Sequence, residues 1–337
     1  MRAALGAMIA AMTIGWAASA QAESAGFGDW IVVCDNVRTC SAYGFSPELS
    51  EDMAYVRLTR TGQPDAPVVA SLSQMGEGAG AWRFEVDGQV VAPRVPFAAG
   101  KHEVYRRARL APADAAALVG ALAGGTGLRL FDGHAATPIS LKGSSAALRW
   151  MDERQKRAGT VSALVARGAR PASAVSVPPG PPVIRAAPAV SQAGLPTTLP
   201  DALKHPWESC DDDIDSLGFE PEVFRLAPGL LLWQTACSRG AYNVIYDLTL
   251  TDERGGSVRA ASIPYLGGEA TGELMNVEFD AGTQTLSNFD KARGLGDCGA
   301  FTSWAWTGKA FVLKSSDVMP ACRGVPLDDW PTEFVSR

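Results

Sequence analysis

Six cysteines, Cys34, Cys40, Cys210, Cys237, Cys298 and Cys322, follow an N-terminal stretch built like an export leader, and this pairing constrains the fold more than any other feature. Arg2 supplies a short positive region, residues 3–17 are uncharged and helix-prone, and Ala18-Ser19-Ala20 and Ala20-Gln21-Ala22 give two small-x-small cleavage patterns. Cleavage after Ala22 is expected, making 1–22 a signal peptide. In an exported, secreted chain an even number of cysteines reads as a disulfide set. No C-x-x-C occurs and the three histidines, His102, His134 and His205, lack ligand spacing, so structural zinc is a poor reading. Cys34 and Cys40 sit near the ends of two strands joined by a tight turn and should bridge locally. The last four cysteines allow three connectivities, of which nearest-neighbour pairing is favoured.

The chain changes character once. Residues 170–200 hold eight prolines and almost no aromatic side chain, a composition that cannot bury a core of its own and runs extended. They are expected to be a linker, or a strap across a domain surface, between an N-terminal β-rich domain (23–169) and a C-terminal antiparallel β-meander domain (201–337). In the first, alternating runs predict strands at 30–34, 38–43, 54–60, 68–73, 81–86, 89–91, 103–107 and 127–131. Two helices are predicted there: 112–122, with Pro at its start and Gly124-Gly125 past its end, and 144–157, with a Ser cap and Gly159 as terminator. On the second helix Asp152 with Lys156, and Glu153 with Arg157, are spaced as surface ion pairs. In the second half the runs 230–236, 241–252, 257–265, 274–280, 284–290, 301–308 and 309–315 alternate between Gly, Asp and Asn turns. The fold class is therefore mainly β, a β-rich α+β chain of two antiparallel sandwich or barrel-like domains, the first carrying two helices.

Several segments resemble known families. Phe27-Gly28-Asp29-Trp30, Cys34, and Ile139-Ser140-Leu141-Lys142-Gly143 leading into Ala146-Ala147-Leu148 look like the invasion-associated locus B family of exported bacterial proteins. That family's pattern has Gly-Phe where Gly143-Ser144 stands, and its role in host-cell entry is not carried over. The whole chain resembles the bacterial family labelled domain of unknown function 1176. The residues that carry this are Trp150-Met151-Asp152-Glu153-Arg154-Gln155, Ala241-Tyr242-Asn243, Arg293-Gly294-Leu295-Gly296-Asp297-Cys298-Gly299 and Met319-Pro320-Ala321-Cys322-Arg323-Gly324. The resemblance implies a periplasmic location in a Gram-negative bacterium and brings no activity with it.

Candidate chemistry is sparse. Residues 294–299 match G-x-G-x-x-G, but a dinucleotide fingerprint needs a helix after the glycines and a strand-forming run follows, so these are turn glycines and no cofactor is expected. Asp211, Asp213, Asp215 and Glu222 have the spacing of a calcium loop, yet Ser216 stands at the glycine position and Pro221 precedes the Glu, so a solvated acidic turn is the better reading. No G-x-S-x-G elbow occurs. The basic run 101–109 reads as a strand with one charged face in water. With 30 basic against 36 acidic residues, a net charge of −6, nucleic acid is an improbable partner. Later apolar runs fall short of a membrane span. Most tryptophans should be core, and two or three exposed together would mark a binding face. The expectation is a non-enzymatic protein that binds an envelope component or protein partner. The alternative is a periplasmic hydrolase of glycan or cell-wall material, which would show converging Asp/Glu carboxyls of raised pKa in a cleft.

Overall fold

Alternating apolar residues set the first sheet. Trp30, Val32 and Cys34 on β2 (Trp30–Cys34) and Ala54, Val56 and Leu58 on β4 (Ala54–Arg60) point into one core, while Ile31, Tyr43 and Tyr55 point to the opposite face. β3 (Cys40–Phe45) is buried at all six positions because both faces are covered. The computed structural model describes residues 23–48, 53–99, 105–204, 210, 211, 214 and 218–337; the expected signal peptide, His102, His205, Asp213 and Asp215 lie outside them. β1 (Glu23–Phe27), β5 (Val69–Met75), β6 (Gly80–Val86), β7 (Gln89–Ala99), β8 (Tyr105–Arg109), β9 (Gly127–Phe131) and β10 (Ala136–Ser140) complete a ten-stranded antiparallel sheet. Its order is β1-β2-β3-β4-β5-β8-β7-β6-β9-β10. The sheet curls without closing into a barrel, and Trp30 Nε1 donates to Ser140 O at 2.9 Å, joining β2 to β10.

Both helices fill the curl. α1 (Pro112–Leu122) buries Ala115, Leu118, Val119 and Leu122. α2 spans Ser144–Arg154, three residues short of the expected end, and buries Ala147, Leu148 and Met151. Its N-terminus carries no serine cap: Gly143 precedes it at φ 99°, and a Cβ there would lie 1.7 Å from Phe27 O. The expected surface pairs on this helix do not form. Asp152 is fully buried and accepts the amides of Leu164, Val165 and Ala166 at 2.7, 2.9 and 3.0 Å, holding the chain that returns over the helix. Arg157, also fully buried, donates to Thr61 O, Gln63 O and Pro64 O instead of meeting Glu153. Carbonyls of an inward-facing loop needed a donor, and an arginine past the helix end reaches them.

The second half is a sandwich of two five-stranded antiparallel sheets. One holds β11 (Glu222–Ala227), β12 (Leu230–Arg239), β13 (Val244–Thr251), β14 (Arg259–Ala260) and β15 (Glu273–Met275); the other holds β16 (Val277–Asp280), β17 (Thr285–Lys291), β18 (Gly299–Trp306), β19 (Phe311–Met319) and β20 (Thr332–Val335). Leu232, Leu248 and Leu250 of the first meet Phe279, Leu286, Trp304 and Phe311 of the second. The run expected as one strand at 274–280 is broken at Asn276, whose φ of 42° hands the chain from the first sheet to the second. Of the run at 257–265 only Arg259–Ala260 forms a strand, with Ile263 bridging Thr271 beyond it.

Residues 170–200 run as a strap with no strand. Ser176 accepts Arg38 of the first half, Ile184 and Ala187 donate to Arg337 O and Trp306 O at 2.8 and 2.7 Å, and Gln192 Nε2 donates to Arg225 O at 3.0 Å. A third core sits where the halves meet, with Tyr43, Phe45 and Tyr55 against Met319, Val325 and Trp330. Asp329 is its polar centre. It accepts Tyr55 Oη, its backbone oxygen accepts Tyr43 Oη at 2.5 Å, and Arg57 and Arg107 lie 3.4 and 3.5 Å from its carboxylate. In the described part of the basic run, Arg107 serves this junction, Arg106 lies over Phe97 and pairs with Asp132 at 3.3 Å, and Arg109 is exposed to solvent.

Candidate functional site

The chain leaves β17 at Lys291, turns through 292–298 and returns as β18. The turn is tight, because Ala292 N donates to Cys298 O and Gly296 N to Arg293 O, both at 3.0 Å. Gly299 makes it possible: its φ is 129°, and a Cβ there would lie 1.8 Å from Asp290 O. A strand follows, so the glycine run is a turn, as its sequence context implied. Asp297, 1% exposed, holds the turn from inside. Its carboxylate accepts Arg293 Nε at 2.6 Å, Arg293 Nη2 at 2.5 Å and the Gly324 amide at 2.6 Å. Burial pushes this carboxyl up, but the Arg293 guanidinium and the Gly324 amide outweigh it and hold the group below the usual carboxylate range.

Two more segments lock onto the turn. The Cys298–Cys322 disulfide ties it to 319–324, and Arg323 then reaches the first half, donating to Ser46 O at 3.3 Å with Glu48 at 3.8 Å. From the other side Tyr242 Oη donates to Ala292 O at 3.0 Å, and Asn243 Nδ2 donates to Lys291 O at 2.9 Å. Asn276 braces Asn243, donating to its Oδ1 at 2.8 Å and to Phe289 O at 2.7 Å. A Cβ on Gly294 would touch the Tyr242 ring at 3.4 Å. Residues 242–243, 291–299 and 319–324, far apart in sequence, thus form one structure.

Its outer surface is a cleft of about 320 Å³ between the halves, floored by Pro47 and Met53 and rimmed by Arg293, Leu295, Arg323 and Glu48. Leu295 is 57% exposed on a turn held by four fixed attachments, and Tyr242, which packs against the same turn at Ala292 and Gly294, is 42% exposed. Each guanidinium has a carboxylate partner. The site offers apolar surface with paired charge, an arrangement suited to recognition.

Carboxyls with raised pKa lie elsewhere. Burial pushes Asp290 up to about 6 against a donated hydrogen bond from Asn288 at 2.6 Å; it lines a shallow groove of about 400 Å³ beside Lys291, Val318 and Pro320, in which it is the one carboxyl among the described residues. Burial, with the Glu273 charge on the neighbouring strand, pushes Asp247 up to about 6 as well.

The disulfides are Cys34–Cys40, Cys210–Cys237 and Cys298–Cys322, the nearest-neighbour set expected. Of the calcium candidates, Asp211 accepts the Arg239 amide at 3.0 Å and Glu222 begins β11 opposite Gln234; the described pair falls in no common ligand cluster. Asp213 and Asp215 lie outside the described residues. Among the described tryptophans none is exposed: Trp30, Trp82, Trp233, Trp304, Trp306 and Trp330 are buried and Trp150 is half-buried against Phe27 and Arg154. His134 is exposed in the turn before β10. The Leu295 cleft carries no residue-type signature; the i,i+4 spacing of Arg293 and Asp297 is the sequence signal that points to the pair holding its turn.

No helix among the described residues is long and apolar enough to cross a membrane. Residues 24–337 match the family model described as "Protein of unknown function (DUF1176)". "Uncharacterized protein YpfG" of Escherichia coli (strain K12) is 29% identical, over 96% of this chain and 94% of that protein. The crystal structure of invasion associated protein B from Bartonella henselae aligns with 40% of this chain and 99% of its own, at 17% identity and a TM-score of 0.28.

Proposed function

The chain belongs to the DUF1176 family, and from that premise we propose that it is an exported, periplasmic, non-enzymatic binding protein of the cell envelope whose partner docks on the cleft rimmed by Arg293, Leu295 and Arg323. One observation carries this reading: a 57%-exposed leucine stands on a turn fixed by a disulfide, a buried carboxylate and two side-chain hydrogen bonds. Rigid presentation of an exposed apolar side chain costs stability in an isolated protein and lowers the entropy cost of binding. Export is supported by the leader-like residues 1–22 and by three disulfides, which persist in oxidising compartments. We read 23–169 and 201–337 as two units joined by the 170–200 strap, with the cleft at their seam.

Affinity capture from a periplasmic extract tests the reading. Leu295→Glu and Arg323→Glu are expected to lose a partner that the wild type retains at matched folding. Equal recovery by all three proteins contradicts it. A hydrolase is the second reading, favoured by the one carboxyl of raised pKa in the Asp290 groove. It requires release of soluble fragments from purified cell wall, abolished by Asp290→Asn.

A further inference from the structure

Away from the cleft, three reactive groups meet on the outer face of β13. Cys210, half-buried, is bonded to Cys237, which is 4% exposed at a bulge in β12. Asp247, 3% exposed, places a carboxylate oxygen 3.7 Å from the Cys210 sulfur, and both sulfurs and the carboxylate oxygen lie within 4.8 Å of one another. A disulfide sulfur has no proton to donate, so the Cys210 sulfur gives this carboxyl no hydrogen bond. Among the described residues, the charged groups on the elements packed around it are Glu273 on β15, which faces it in register, Asp211, whose carboxylate accepts the Arg239 amide, and Arg239 at the end of β12. No ion pair to Asp247 forms among the described residues.

The geometry points to Cys210–Cys237 as a redox-exchangeable disulfide that a dithiol can reduce, with Asp247 supplying and then retrieving the proton. A thiolate of the dithiol attacks the sulfur of Cys210, the less buried of the two cysteines. The Cys210–Cys237 bond breaks, its electron pair leaves on Cys237, and Cys237 takes the proton from Asp247. The resulting carboxylate removes the proton of the dithiol's second thiol, which attacks its own mixed-disulfide sulfur and expels Cys210 as a thiolate, protonated by Asp247 or water. The dithiol is oxidised by two electrons to a disulfide, and the protein gains two electrons and two protons as two thiols.

The other bridges lack this arrangement. Cys298 also lies 3.9 Å from a carboxylate, Asp297, but Arg293 and the Gly324 amide hold that group ionised, and an anion beside a leaving thiolate opposes its departure. Cys34 and Cys40 are both buried, at 4% and 0% exposure. Asp247, pushed up to about 6 by burial and Glu273, carries its proton in mildly acidic solution.

Dithiothreitol treatment of the folded full chain, quenched by alkylation and mapped by mass spectrometry, tests this, with rates expressed per reagent thiolate. Cys210–Cys237 is expected to open about 10-fold or more faster than the other two bridges at pH 5, and this advantage should fall as Asp247 ionises near pH 6. Asp247→Asn should be slower at pH 5 and flat with pH. Glu273→Gln, a change at an exposed site, should keep the fold and move the midpoint to lower pH, so the test stands even where Asp247→Asn does not fold. Reduction of Cys210–Cys237 no faster than that of Cys298–Cys322 overturns the proposal, as does a wild-type pH profile in Asp247→Asn or an unmoved midpoint in Glu273→Gln.

Discussion

Asp297→Asn removes one charge from the centre of the cleft's scaffold and leaves its shape. The carboxylate takes three donors, two from Arg293 and one from Gly324. An amide keeps one accepting oxygen and turns an NH2 toward the rest. Leaving the buried Gly324 amide unpaired costs about 1–3 kcal/mol. The Arg293 pair adds about 1 kcal/mol at most, because that side chain is 41% exposed and its charge is screened. The expected loss is about 1–4 kcal/mol, a drop of about 0.3–1.3 M in urea midpoint for a slope near 3 kcal/mol/M. The pH dependence fixes the cause. Asp297 has a depressed folded pKa, so its contribution is present above the unfolded value near 4 and is lost as pH falls through the folded one. Urea unfolding of both proteins at pH 7 and pH 3, followed by tryptophan fluorescence, should show a gap at pH 7 that narrows at pH 3. A loss below about 0.5 kcal/mol at pH 7, or one undiminished at pH 3, would refute the reasoning.

Asp152→Ala should destabilise by about 3–4 kcal/mol in urea unfolding, since three amides at 164–166 lose their acceptor beneath a closed surface. Asp290 has a raised folded pKa of about 6, so above the unfolded value near 4 the folded state holds the extra proton and stability falls as pH rises from 4 to 6. Asp290→Asn should remove that fall and stabilise by about 1–2 kcal/mol at pH 7.5, the partial exposure of the group being allowed for. Replacing Cys298 and Cys322 together by Ser opens a link spanning 24 positions, with an expected loss of about 3 kcal/mol and of partner capture together; thermal unfolding and capture read the two effects separately.

Strands such as Ala54–Arg60 and Gly127–Phe131 were legible because alternation and flanking turns agree, and the bridges because each pair closes a local segment. Glu23–Phe27 and Thr332–Val335 were not legible, being edge strands with little apolar alternation. Asp152 and Arg157 were misread for one physical reason: a charge on a helix looks solvated until the loop that covers it is known, and neither the 61–64 carbonyls nor the 164–166 amides announce themselves in sequence. The cleft was legible in parts only. The motif residues stood out, but their meeting depends on Arg323 reaching Ser46 across 277 positions and on Tyr242 reaching Ala292, contacts that local patterning does not encode.

Photo-crosslinking from the turn itself tests the binding reading most directly. A benzophenone side chain at Leu295, with Val90 (52% exposed, on the first sheet) as the control position, would be irradiated in intact cells making the full chain. A discrete adduct is expected from position 295 that position 90 does not give and that Arg323→Glu abolishes. The same adducts from both positions, or none from 295, would contradict the binding reading.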